Sequence, residues 1–97
     1  MLDSGKVDAD VVVEAFDTLK FDKEQYRGKA DLTLGLFDQG SMPHTLVIEG
    51  RESFKLEVGG RGDSSVGDIL LRRGTYTMYC ELPGHRAGGM EATLIIP

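Results

Sequence analysis

Tryptophan is absent from this chain, cysteine occurs once and histidine twice among 97 residues. A single cysteine excludes a disulfide within the chain, so stability must come from packing, alone or with a bound metal. No apolar run approaches the ~18 residues that a membrane-spanning helix needs. The opening MLDSGKVDAD has neither a basic nor an apolar stretch, so no signal peptide is expected in it. Basic residues are short too: 11 Lys and Arg against 16 Asp and Glu leave a formal net charge of −5. An acidic chain without a basic patch argues against nucleic acid and anionic lipid as partners.

Glycine is what the chain has in plenty, 13 residues, and turns should be frequent. The length fits one domain over residues 1–97, with 1–9 as a flexible N-terminal segment. Between the turns, apolar residues alternate with the period of a strand. DVVVEAF is β-branched, and in ADLTLGLFDQ the side chains of Leu32, Leu34 and Leu36 share a face. HTLVIEG, SFKLEV, DILL, GTYTMYC and MEATLIIP follow as further strands, with GGRGDSSVGD as a loop. FDKEQYRGKAD is polar and turn-rich, a loop or short helical turn with Phe21 and Tyr26 as core anchors. This spacing predicts an all-β, antiparallel sandwich or barrel.

The last third concentrates the chemistry. YCELPGHRAGGM holds Cys80, His85 and Met90, with four residues between each and the next. The other histidine, His44, opens a separate strand just after a turn. Alternation in GTYTMYC puts Tyr76, Met78 and Cys80 on the inner face, and Met90 starts the inner face of the final strand. Three strand ends can thus meet at one pole. Thiolate and thioether are soft donors and imidazole is intermediate, a set that suits copper. Two His and a Cys with a weak axial Met is the arrangement of a type 1, blue-copper electron-transfer site. Pro83 and Gly84 turn the chain after Cys80, and Gly88 and Gly89 turn it back.

Other readings fare less well. Zinc would accept two His and a Cys with a water, but has no use for Met90. A nucleophilic thiol wants a helix N-terminus or an electropositive pocket, and Cys80 offers neither. A copper store or chaperone could use the same soft ligands, although exchange favours exposed Met- or Cys-rich strings. Arg61–Asp63 spells RGD, which in GGRGDSS reads as a Gly-rich turn rather than an adhesion motif.

SMPHTLVIEG, GTYTMYC and CELPGHRAGGMEATLIIP together resemble the cupredoxins, the small blue copper proteins, over roughly residues 10–97. The loop spacing is most similar to that of rusticyanin and sulfocyanin. The resemblance implies a Greek-key β-sandwich of about seven to eight strands. It implies one type 1 copper held by His44, Cys80, His85 and Met90, and one-electron transfer between redox partner proteins by a monomer. It implies a periplasmic or extracytoplasmic location, from a precursor that could be membrane-anchored. His85 would be the electron port, ringed by Met42, Pro43, Leu82, Pro83, Ala87 and Gly88 as an apolar collar for transient docking. Where many members have Asn after the first His, this chain has Thr45. Its hydroxyl is expected to link the two ligand segments and its N–H to bond the Cys80 sulfur. Cys80 is flanked by Tyr79 and Glu81, so the His–Cys–His run that couples multicopper oxidases is missing, and no enzymatic activity is expected.

Overall fold

The computed structural model describes residues Met1–Pro97. Nine strands follow the chain: β1 (Val11–Phe16), β2 (Lys20–Phe21), β3 (Gln25–Arg27), β4 (Asp31–Asp38), β5 (His44–Ile48), β6 (Lys55–Val58), β7 (Ser64–Leu70), β8 (Gly74–Tyr79) and β9 (Glu91–Ile96). They form two sheets, β2-β1-β4-β7 and β3-β9-β8-β5-β6, and there is no helix. The all-β sandwich expected from the alternation is present.

Three details differ from the sequence reading. The polar stretch after β1 yields β2 and β3, of two and three residues, because Phe21 and Tyr26 are buried and tie it to the sheets. The Tyr26 hydroxyl donates to Asp22 Oδ1 (2.6 Å), and burial together with that carboxylate pushes the phenol up. Ser64–Asp68, read as loop, is the first part of β7, an edge strand whose side chains alternate between exposed and half-buried. The sheets are also mixed: β1 runs parallel to β4, and β3 parallel to β9.

The core lies between the sheets. Val11, Val13 and Ala15 of β1 and Leu32, Leu34 and Leu36 of β4 face Leu46 and Ile48 of β5, Met78 of β8, and Ala92, Leu94 and Ile96 of β9. Fully burying each large aliphatic side chain contributes about 1.5–3 kcal/mol of transfer free energy. Every residue of β5 is buried, so the strand that begins with His44 is held on both faces.

Register decides where the ends of these strands fall. β5 and β8 are antiparallel, with Val47 opposite Tyr79. β8 and β9 are antiparallel, with Tyr79 opposite Glu91. One step further along the ladder, the Cys80 N–H donates to the Met90 carbonyl (3.1 Å). The start of β5, the end of β8 and the start of β9 therefore share one pole of the sandwich. The RGD turn is used locally: Asp63 Oδ2 accepts the Gly59 N–H (2.8 Å).

Candidate metal centre

The loop from Cys80 to Met90 is a compact structure closed by its own backbone. Besides the Cys80–Met90 bond at its base, the Met90 N–H donates to the His85 carbonyl (3.0 Å) and the His85 N–H to that of Leu82 (3.1 Å). Gly84 (φ 79°) and Gly89 (φ 114°) occupy left-handed backbone that side chains rarely adopt, which is why glycine stands at these turns. On the outside, the Arg86 guanidinium lies over the Tyr79 ring (4.0 Å) and bonds Glu91 (2.7 Å) and Glu49 (3.2 Å). Glu81 points away from the site to Lys55 (2.7 Å).

Inside the loop, the sulfur and imidazole nitrogens converge. One donor atom from each of His44, Cys80 and His85 lies within 4.8 Å of the other two. Cys80 Sγ is 3.4 Å from His85 Nδ1, and the two imidazole rings are 5.4 Å apart between centroids. His44, Cys80 and Met90 are fully buried, and His85 is half-buried. Met90 belongs to the same buried cluster as Cys80. The Nδ1 of His44 is buried and has no hydrogen-bond partner. An orphaned imidazole nitrogen beside a buried thiol costs free energy unless something else satisfies it. A soft or borderline metal ion suits that donor set.

Thr45 stands where the sequence places it, with both expected contacts. Its N–H donates to Cys80 Sγ (3.3 Å), and its Oγ1 lies 3.5 Å from the same sulfur. The Oγ1 also accepts the Glu81 N–H (3.0 Å), so one side chain joins the β5 start to the loop.

No protein-family model matches the sequence, and no curated protein matches it either. Solved structures do. A dithionite-reduced auracyanin from the photosynthetic bacterium Roseiflexus castenholzii superposes with a TM-score of 0.78 at 17% identity, over 90% of this chain and 95% of that one. The azurin Az-iso2 from the obligate methylotroph Methylomonas sp. strain J gives 0.74 at 18% identity, over 94% and 99%. Auracyanin B gives 0.64 at 17%, over 95% and 92%. The fold is that of the cupredoxins. Identities this low speak for the fold, and the chemistry rests on the side chains.

In this cupredoxin fold one participant escapes the sequence. Asp17, in the turn between β1 and β2, brings its Oδ1 to 3.0 Å from His44 Nε2, 27 residues along the chain. Asp17 is held down to about 2, first by the Ser41 N–H and also by its bond to His44. Asp38, fully buried at the end of β4, accepts the Gly40 N–H (2.9 Å) through one oxygen, while the other is unpartnered. Its carboxyl is pushed up by burial. Asp17, Asp38 and His44 form a second tight group that shares His44 with the first. An acidic residue after a strand has no motif to mark it, and only the fold brings it to the ring.

Proposed function

We propose that this chain is a one-electron carrier whose single copper ion is held by His44, Cys80, His85 and Met90. The observation that carries the reading is that His44, whose buried Nδ1 has no partner, groups with Cys80 and His85. When bound there, copper supplies a Cu(II)/Cu(I) couple.

The residues around it do the rest. Cys80 and Met90, fully buried, keep water from the inner side. The Thr45 N–H holds the sulfur in place and draws charge from it, with the Thr45 Oγ1 packed beside it. The closed loop and the doubly buried β5 fix the donors on rigid elements, so little needs to move as charge changes. His85 is half-buried; of the residues expected to ring it, Pro43, Pro83, Ala87 and Gly88 are exposed, Met42 is 38% exposed and Leu82 is half-buried. A small apolar rim of this kind suits brief docking of redox proteins rather than a permanent complex. Glu81 and Glu91 of the loop region, and Glu49, are paired with Lys55 and Arg86. Such a carrier belongs outside the cytoplasm, and it is an electron carrier, not an enzyme. No helix is long and apolar enough to cross a membrane.

The test is a visible spectrum of metal-free protein titrated with Cu(II) and then reduced with ascorbate. Intense blue or green colour that saturates at one equivalent, bleaches with reductant and returns with oxidant is expected. Weak colour, or thiol oxidation without a stable complex, overturns the reading.

A further inference from the structure

We propose that Asp17 is a positioning residue for His44. Its carboxylate takes the Nε2–H, fixes the tautomer that leaves a lone pair on the buried, unpartnered Nδ1, and favours the more highly charged state of a metal held there. This rests on the copper reading only in its last part.

The tautomer argument needs no metal. An ionised carboxylate only accepts hydrogen bonds, so the 3.0 Å contact places the proton on His44 Nε2. A proton on Nδ1 would be a buried donor with no acceptor, because that atom has no partner. Both nitrogens therefore favour the same tautomer, with Nδ1 free to donate its electron pair.

Asp17 is itself built into place. Its Oδ2 accepts the Ser41 N–H (2.8 Å) and the Ser41 hydroxyl (3.1 Å), and its Oδ1 also accepts the Met42 N–H (3.3 Å). These donors leave the carboxylate little freedom to rotate. Gly40 makes the approach feasible: a Cβ there would collide with the Asp17 carboxylate. The turn before β5 is thus wrapped around this one side chain. A bare loop clamp would need only the Ser41 and Met42 bonds. The further bond to a fully buried imidazole nitrogen is what points to the ring.

A carboxylate on the far nitrogen of a ligating histidine fixes the ring and raises its basicity, and such partners commonly alter metal affinity by about 10–100-fold when removed. The negative charge helps Cu(II) more than Cu(I). Asp17→Asn keeps one acceptor for the Nε2–H and removes the charge. Asp17→Ala removes both.

The experiment has two readouts. Long-range ¹H–¹⁵N spectra of the metal-free, ¹⁵N-labelled protein report the His44 tautomer. The wild type should carry its proton on Nε2, Asp17→Asn should keep it there, and Asp17→Ala should populate the Nδ1–H form. Redox titration of the copper-loaded proteins should then show Asp17→Asn raised by about 59 mV for each tenfold loss of Cu(II) affinity relative to Cu(I). A wild-type proton on Nδ1, or an Asp17→Ala protein with the wild-type tautomer, overturns the proposal. So does a folded Asp17→Asn protein with an unmoved potential. A wild type that takes up no copper overturns the function proposed above instead, and the tautomer spectra then decide the role of Asp17 by themselves.

Discussion

Cys80 is constrained before any metal arrives: its N–H is tied to Met90, and its sulfur meets the Thr45 N–H and the His85 ring. Replacing it should therefore remove chemistry rather than the fold. Cys80→Ala should abolish the intense thiolate-to-copper absorption in a Cu(II) titration, and a variant that stays blue would show the ligand assignment to be wrong. Met90→Leu is close to volume-conserving in the core. It should keep a coloured site but raise the potential in a redox titration, since losing a thioether disfavours Cu(II). An unchanged potential would mean that Met90 is not axial. At this scale the candidate site was readable where residue type and spacing carry the chemistry: the two histidines and the one cysteine all fall into one group, and Thr45 follows from its place after His44. Asp17 was not readable. An aspartate is common in turns, and its partner lies far along the chain.

β5 is the element on which the site depends most, since it begins with His44 and lies between β6 and β8. Leu46 in its middle is fully buried and sits opposite Leu56 of β6. Leu46→Ala should cost about 2–5 kcal/mol, read from the urea midpoint of the metal-free protein. A loss under about 0.5 kcal/mol, typical of a surface change, would contradict this packing. The long strands were legible because Leu32, Leu34 and Leu36, or Ala92, Leu94 and Ile96, alternate with outward residues. β7 was legible only at its end, because Ser64, Ser65 and Gly67 on an edge strand look like turn residues. The short β2 and β3 lack the length for any period to register. The parallel pairings of β1 with β4 and β3 with β9 come from chain crossover, which local alternation does not encode.

For the molecule as a whole, the candidate ligands His44 and Cys80 come from distant segments of a chain with no disulfide, and the Thr45 N–H beside His44 bonds the Cys80 sulfur 35 residues away. A ligand bound only by the folded state adds about 2.7 kcal/mol at 100 times its dissociation constant. In a domain of this size that raises the melting temperature by roughly 10 °C or more. Equal melting of the copper-loaded and metal-free proteins would count against tight binding by the native state. The alternation made an all-β sandwich or barrel legible and the cupredoxin resemblance narrowed it to a sandwich; its crossovers were not legible. The meeting of β5, β8 and β9 at one pole has a kinetic consequence. β5 is far in sequence from β8 and β9, and all three must be in register before the donor atoms converge, so the site should assemble late on the folding path. Copper should then leave the refolding rate almost unchanged and slow unfolding, moving only the unfolding arm of a stopped-flow chevron. A refolding arm that speeds up with copper would place the pole in the folding nucleus. With a late-forming site, a bound metal would act as a latch, closing after the sandwich is built and setting how long the fold persists once formed.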